Sequence, residues 1–148
     1  MSKKPSACFT ILAIALAAAA GATRGAPPVA KKVSLSISRL SIAPGERVVG
    51  FEFHITSGRV AQIPDTPIGW NITIDNDPSW NGKVSGSVVV ASAAVDASFF
   101  RGFLIVEKNE SLGNPFAIRG DVIVTRDFVK ERRILVTMRE LTLAPVSK

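Results

Sequence analysis

The sequence has one cysteine, one histidine and no tyrosine among its 148 residues. The cysteine, Cys8, lies near the amino terminus, so removal of a leader there would leave no thiol for a disulfide or a metal–thiolate site. Core packing must then stabilise the fold. The disulfide and the tyrosine corner of antibody-type immunoglobulin domains are both excluded. A catalytic pair of cysteine and histidine is excluded for the same reason.

The first 22 residues have the pattern of a secretory signal peptide. Lys3 and Lys4 precede an apolar stretch at 7–20, and Ala20-Gly21-Ala22 matches the small-residue site of signal peptidase. The apolar stretch is shorter than the roughly 20 residues that a transmembrane helix needs. We therefore expect an exported protein, periplasmic or extracellular, with no membrane span after cleavage.

Charge is moderate and dispersed along the chain. The formal net charge is +6, and removal of Lys3 and Lys4 with the leader lowers it by 2 to +4. The densest basic stretch, at 130–133, is interrupted by Glu131. Binding to nucleic acid requires a clustered basic face with interleaved aromatic residues. No nucleic-acid partner is therefore expected.

The chain after the leader divides into two parts. Residues 23–32 contain Pro27-Pro28 and Lys31-Lys32 without any periodicity, which predicts a flexible lead. Residues 33–148 have the size of a single domain. Apolar residues recur there at every second position, which is typical of half-buried antiparallel strands.

Eight segments show this alternation, and turn residues such as Pro44-Gly45 and Ser57-Gly58 separate them. The segments are 33–37, 49–56, 60–63, 70–74, 84–90, 103–108, 116–124 and 134–138. The spacing predicts an all-β fold, a single antiparallel β-sandwich of about eight strands. Its topology is either immunoglobulin-like or jelly-roll-like.

Two irregular stretches interrupt the alternation. After Arg39 the apolar phase shifts from odd positions to Leu40 and Ile42, which predicts a bulge or a switch between sheets. Residues 91–100 fit neither a strand nor a helix for long. They predict a crossover with one helical turn that starts at Asp96.

The strongest candidate for a ligand site lies between residues 70 and 81. Trp70 shares the phase of Ile72 and Ile74, so we expect it in the core. The run Asp77-Pro78-Ser79-Trp80 fits a type I turn, which would raise Trp80 onto a hairpin loop. Indole rings stack on sugars, and Asp and Asn side chains bond sugar hydroxyls. The predicted glycan site comprises Asp75, Asn76, Asp77, Trp80 and Asn81.

The competing interpretation is that Trp80 folds back over the open end of the sandwich, since large aromatic side chains are highly buried on average. The acidic run at 75–77 also suggests calcium, but it lacks the spaced acidic positions and the closing Glu of a calcium loop. Asx turns alone explain these residues. No metal and no cofactor are therefore predicted.

His54 could act as a base, because it lies on the polar phase of its strand beside Glu52 and Thr56. No serine lies in a Gly-x-Ser-x-Gly elbow, however, and nothing in the sequence places an acid behind the imidazole. We predict no catalytic residues and no enzyme activity.

The sequence thus favours an exported, non-catalytic binding or accessory module, with three hypotheses for its action. The most specific is binding of a cell-envelope glycan around Trp80. The second is association with another envelope protein through an exposed sheet edge. The third and least favoured is a hydrolase that uses His54.

Overall fold

The computed structural model describes residues 30–146, which form two antiparallel sheets. The predicted signal peptide at 1–22 and most of the predicted lead lie outside the described residues. The strands are β1 Ala30–Ile37, β2 Arg47–Thr56, β3 Gly58–Gln62, β4 Trp70–Asp77, β5 Asn81–Val88, β6 Leu104–Asn109, β7 Ala117–Thr125, β8 Glu131–Val136 and β9 Leu141–Pro145. Short 3-10 helices span Ala91–Ala93, Ala97–Phe100 and Met138–Glu140. In this part of the chain no helix is long and apolar enough to cross a membrane.

The predicted β-sandwich is confirmed, and the first and last described strands differ from the prediction. β1 begins at Ala30, within the segment predicted to be a flexible lead. β9 was not predicted, because it is short and its alternation is limited to Leu141 and Leu143. The predicted helical turn is present at Ala97–Phe100, where the Asp96 carboxylate accepts a hydrogen bond from the backbone N–H of Ser98.

The strand order resolves the topology. One sheet has the order β9-β1-β6-β3 and the other β4-β5-β2-β7-β8. Strands β2 to β6 are arranged like strands B to F of an immunoglobulin sandwich, where B pairs with E, E with D, and C with F. The flanking strands are exchanged. β7 takes the place of strand A, beside the strand equivalent to B, and β1 takes the place of strand G, beside the strand equivalent to F. The centre of the sandwich is therefore immunoglobulin-like, and its outer strands are permuted.

The core is centred on Phe51 of β2. The centroid of its ring lies 5.8 Å from those of Phe53 and Trp70. It also lies 6.0 Å from the rings of Phe100 and Phe103, with the planes nearly perpendicular. Such edge-to-face pairs contribute about 0.5–1.5 kcal/mol beyond the burial of apolar area. Phe51 thus packs the five-stranded sheet against the crossover between β5 and β6.

Trp70 belongs to this core, as predicted, with 8% of its surface exposed. Its indole Nε1 donates a hydrogen bond of 2.8 Å to the backbone oxygen of Ala93. A buried indole N–H needs such an acceptor. Trp70 therefore attaches the first residue of β4 to the crossover.

The chain changes sheets between β2 and β3 through Ser57 alone. Ser57 has a φ of 58° and is buried. Its hydroxyl donates a 2.6 Å hydrogen bond to the backbone oxygen of Asn114, and its own backbone oxygen accepts one from Asn109 N–H at 2.9 Å. These bonds connect the corner to the loop between β6 and β7.

A second change of sheets separates β8 from β9. A capping box orders this corner, because the Glu140 carboxylate accepts a 2.7 Å hydrogen bond from the backbone N–H of Thr137. Of the bulge or sheet switch predicted at Arg39, the sheet switch is confirmed, because the chain passes from the four-stranded to the five-stranded sheet between Ile37 and Arg47. β1 ends at Ile37, and Leu40 and Ile42 reach the core from the following loop.

The loop between β1 and β2 is attached to β8 by an ion pair between Glu46 and Arg132. Arg132 Nη2 donates to Glu46 Oε1 at 2.6 Å, and Arg132 Nε donates to Glu46 Oε2 at 3.0 Å. These bonds, together with the N–H of Ala43, lower the pKa of Glu46 to about 2.

We expect this ion pair to make stability depend on pH in acid. The folded-state pKa of about 2 lies below the ordinary value of 4.5, so the stabilisation is present above pH 4.5 and is lost as the pH falls towards 2. Glu46→Gln should lower Tm near neutral pH and flatten its fall in acid. Thermal unfolding at stepped pH measures both. Glu131→Gln is the control, and an unchanged acid profile in Glu46→Gln would contradict the assignment.

Gly120 of β7 pairs with Phe53 of β2. A Cβ at this position would lie 1.9 Å from the backbone oxygen of Glu52. Gly120→Ala should therefore force the strands apart and lower the free energy of unfolding by about 3 kcal/mol. Gly113→Ala is the matched control, because nothing lies within 4 Å of its Cβ position. Urea denaturation of both variants tests this, and equal losses would refute it.

Candidate functional site

The predicted site lies at the turn between β4 and β5. Trp80 N–H donates to the backbone oxygen of Asp77 at 3.2 Å, which closes a β-turn. The positive φ, 62°, is at Trp80 and not at the central residues Pro78 and Ser79, which agrees with the predicted type I turn. A residue in this left-handed conformation commonly follows a type I turn in three-residue hairpin loops, where glycine is preferred. Tryptophan costs on the order of 1 kcal/mol there. Other contacts must therefore hold it in place.

Arg59 and Gly58 of β3 provide those contacts. The backbone N–H of Gly58 donates to the oxygen of Trp80 at 3.0 Å. The Arg59 guanidinium carbon lies 4.2 Å from the centroid of the indole, and Arg59 Nε also donates to Glu107 Oε1 at 3.0 Å. A cation over an exposed indole contributes about 0.5–1 kcal/mol. Trp80 is thus on the hairpin loop, as predicted, but it is half-buried and Arg59 covers one face of its ring.

The other predicted ligand residues share the hairpin and therefore lie together, but two of them are already engaged. Asp77 Oδ1 accepts hydrogen bonds from the backbone N–H groups of Ser79 and Asn81, at 2.8 and 3.3 Å. Within the described part of the chain, the side chains of Asp75 and Asn81 are exposed and form no hydrogen bond or ion pair. Their polar groups remain available to solvent.

Asn76 bonds across the gap between the two sheets. Its Oδ1 accepts from the backbone N–H of Val60, and its Nδ2 donates to the backbone oxygen of Val60, both at 3.0 Å. These are the two hydrogen bonds that a neighbouring strand would make to Val60. The side chain of Asn76 therefore covers the outer edge of β3. No pattern in the sequence predicts this role, because it depends on how the sheets pack.

β4 has an outer edge that no described strand covers, since it is the last strand of its sheet. Its pairing with β5 runs without a bulge. Val89 N–H donates to the oxygen of Gly69 at 2.7 Å. Because hydrogen-bonded pairs alternate in an antiparallel ladder, the backbone groups of Ile72 and Ile74 point away from β5. They form an unpaired row of donors and acceptors.

The other three sheet edges carry features that hinder association. β3 has a bulge between Val60 and Gln62 in addition to the bonds from Asn76. β8 begins with three charged residues, and β9 is only five residues long and ends at Pro145. Lysine, proline and bulges are common protections of sheet edges, and β4 has none of them.

Apolar side chains lie along the β4 edge. Ile68, just before the strand, is 97% exposed, and Ile74 within it is 44% exposed. Val89 and Val90 are also exposed, and the hydrogen bond between Val89 and Gly69 places them beside Ile68. Contiguous exposed apolar surface is typical of interaction sites. The β4 edge thus combines unpaired backbone groups with apolar side chains.

His54 lies on the outer face of the five-stranded sheet. Its Nε2 is 3.8 Å from Glu52 Oε2, and the ammonium of Lys83 is 3.2 Å from the same oxygen. Among residues 30–146, His54 forms no hydrogen bond to a hydroxyl, and no three His, Cys, Asp or Glu side chains are close enough to hold a metal ion. The hydrolase hypothesis gains no support from these contacts.

Replacement of Asn76 should destabilise the fold. Asn76→Ala leaves the N–H and the oxygen of Val60 without their partner, which should lower the free energy of unfolding by about 2 kcal/mol. Asn71→Ala, on the exposed side of the same strand, should change it by less than about 0.5 kcal/mol. Chemical denaturation compares the two variants, and an equal effect would show that the bonds to Val60 contribute nothing.

No protein-family model matches this chain, and comparison with curated proteins and with solved structures finds no similar protein.

Proposed function

We propose that this chain is an exported, non-catalytic binding module that acts through the outer edge of β4. A partner protein would place an extended segment beside β4, as a sixth strand of the five-stranded sheet. The observation that supports this proposal is the difference in protection between the β4 edge and the other sheet edges. Among the four sheet edges of the described residues, β4 alone has no bulge, no proline, no cation and no covering side chain.

The backbone of β4 supplies the affinity in this proposal. The outward N–H and C=O groups of Ile72 and Ile74 would pair with the backbone of the incoming segment. Each such hydrogen bond contributes about 0.5–1.5 kcal/mol net. Burial of the exposed Ile68 and Ile74 would add to this. Because these backbone bonds are independent of sequence, side chains must provide the selectivity.

The side chains of β4 define the chemistry of the partner. On the inner side, the added strand would lie against Ile72 and Ile74, which favours apolar residues there. On the outer side it would lie beside Thr73 and Asp75, which favours polar residues. β4 contains Asp75 and Asp77 and no cation. The partner segment should therefore alternate apolar and polar residues and contain a lysine or an arginine.

Glycan binding around Trp80 has weaker support from the contacts. Arg59 covers one face of the indole, and Asn76 and Asp77 are bonded to backbone groups. A sugar platform needs an open ring with free polar groups around it. The glycan hypothesis stays a prediction, and it differs from edge pairing in depending on Trp80.

A peptide of alternating valine and threonine, with lysine at both ends, tests whether the β4 edge pairs with an added strand. We expect the labelled peptide to bind the chain in a fluorescence anisotropy titration. Ile72→Pro removes an outward N–H and leaves the inner ladder with β5 intact, so it should abolish binding. Ile74→Lys places a cation on the edge and should act in the same way. A second peptide with glutamate at both ends should bind about tenfold more weakly, because Asp75 and Asp77 repel it.

Trp80→Ala is the control, and it should leave peptide binding unchanged. Circular dichroism and Tm confirm that each variant is folded. Unchanged binding by folded Ile72→Pro and Ile74→Lys would refute edge pairing. Oligosaccharide binding that is lost in Trp80→Ala and retained in Ile72→Pro would instead support the glycan hypothesis.

A further inference from the structure

A surface cavity lies where β1 and β9 meet the crossover that leads to β6. Its volume is about 450 Å³, which is within the range of small-molecule sites, roughly 300–1,000 Å³. Four of its lining residues carry hydroxyl groups, and Arg101 is the single charged residue among them. No Asp or Glu of the described chain lines it. The cavity therefore presents hydrogen-bond donors and one cation.

Two of the hydroxyl groups lie directly opposite each other. Ser36 of β1 pairs with Thr142 of β9, and their neighbours Leu35 and Leu143 pack on the core. Because successive side chains of a strand alternate between its two faces, Ser36 and Thr142 both point to the outer face of the four-stranded sheet. The Ser36 Oγ accepts a hydrogen bond of 2.8 Å from the backbone N–H of Gly102. This bond uses a lone pair and leaves the hydroxyl proton of Ser36 free to donate.

The four hydroxyl groups of the lining differ in whether they are already engaged. Ser38 donates to the backbone oxygen of Glu140 at 3.1 Å, and Ser98 donates to the carboxylate of Asp96. The hydroxyl protons of Ser36 and Thr142 have no acceptor among residues 30–146. The cavity thus contains two adjacent donors that a ligand can use.

Arg101 supplies the positive charge of the cavity. Its side chain is exposed, and in the described part of the chain its guanidinium forms no ion pair and donates no hydrogen bond. Arg59, Arg132 and Arg133, in contrast, each pair with a carboxylate. A guanidinium has five N–H donors in a rigid fork that matches the oxygens of a carboxylate or a phosphate. All five donors of Arg101 are available to a ligand.

The acidic side chains of the adjoining segments are engaged elsewhere. Asp96 lies outside the lining, and its carboxylate accepts a 2.9 Å hydrogen bond from the backbone N–H of Ser98. Its pKa is lowered first by the hydrogen bonds from Ser98, and the charges of Arg47 and Arg101 contribute less. Glu140 is bonded within its own capping box. Neither carboxylate pairs with Arg101, so an anionic ligand would not have to displace one.

We propose that this cavity binds a phosphate monoester with a compact organic group. The phosphate accepts hydrogen bonds from the Arg101 guanidinium and from the hydroxyl groups of Ser36 and Thr142, and its charge strengthens these bonds. A phosphate offers three terminal oxygens to these donors, whereas a planar carboxylate offers two. The organic group lies against Leu40 and Ala97, which belong to the apolar part of the lining. The cavity shares no residue with the β4 edge, so this proposal does not depend on the proposed function.

A titration of the full chain with phenyl phosphate tests the site. Calorimetry measures the affinity, and nitrogen-15 NMR follows the backbone amide of Gly102 and the Arg101 Nε–H resonance, which Arg101→Gln assigns. Both resonances should shift and saturate, because the Gly102 N–H is bonded to Ser36 Oγ and responds when that hydroxyl donates. Benzoate has the same ring with a planar carboxylate of lower charge, and it should bind about tenfold more weakly.

Two variants each remove one donor from the cavity. Thr142→Val retains the shape of the side chain and should weaken phenyl phosphate binding by about tenfold, which corresponds to the loss of one charge-assisted bond. Arg101→Gln should weaken it by at least the same factor. The matched controls are Thr56→Val and Arg119→Gln, which remove the same groups from the outer face of the five-stranded sheet. Both controls should bind phenyl phosphate normally.

A phosphate monoester could come from a soluble molecule or from a lipid headgroup. Vesicles of phosphatidylcholine with added phosphatidic acid present this group on a membrane. Sedimentation of the chain with these vesicles, and not with phosphatidylcholine alone, would assign the phosphate to a lipid if Arg101→Gln abolishes it. Binding of phenyl phosphate without sedimentation would assign it to a soluble ester.

Three results would overturn the proposal. The first is the absence of saturable shifts at Arg101 Nε and at the Gly102 amide. The second is equal affinity for benzoate and phenyl phosphate, because it would exclude recognition of the phosphate. The third is unchanged affinity in both Arg101→Gln and Thr142→Val, or an equal loss in the two control variants.

Discussion

The packing of aromatic rings around Phe51 is the interaction on which the rest of this structure depends. The described residues contain no cysteine, so no disulfide joins the two sheets. Phe51 contacts Trp70 at the start of β4 and Phe99, Phe100 and Phe103 in the crossover. These contacts fix the position of β4 beside β5 and the path of the chain from one sheet to the other. The position of the β4 edge follows from them.

A β-sandwich that does not close into a barrel has free sheet edges, and the four edges of this one differ in how they are protected. The side chain of Asn76 replaces a strand at the edge of β3, and charges or a terminal proline modify the edges of β8 and β9. β4 is regular along its whole length and has no bulge, proline or cation, although it carries Asp75 and Asp77. An edge of this kind invites pairing with another chain, and evolution commonly removes it where no partner exists. The difference between β4 and the three protected edges is therefore more informative than the presence of an open edge.

The chain changes sheets at Ser57 and again between β8 and β9, and these two corners have opposite consequences. At Ser57 the change takes a single residue, and β3 is held so close to β4 and β5 that Asn76 and Arg59 bridge the gap. Between β8 and β9 the change takes residues 137–140, and a cleft beside Met138 remains open. At both corners the two consecutive strands lie in different sheets and do not form a hairpin. The corner at Ser57 corresponds to the crossing from strand B to strand C of an immunoglobulin sandwich, whereas the crossing from β8 to β9 belongs to the permuted outer strands.

The sequence by itself determined the fold class, the burial of Trp70, the type I turn at Asp77 and the position of the hairpin residues next to one another. Each of these follows from local patterns, since alternation reports the one buried face of a strand and Asp-Pro defines a turn. Only the tertiary structure decided that Arg59 stacks on Trp80, that Asn76 bonds to Val60, and that β4 lies at an open edge. These contacts join segments that are distant in the chain, and a local pattern has no information about which strands become neighbours. Alternation of apolar and polar residues shows which face of a strand is buried. Which strand lies at the edge of a sheet depends instead on the order of all the strands.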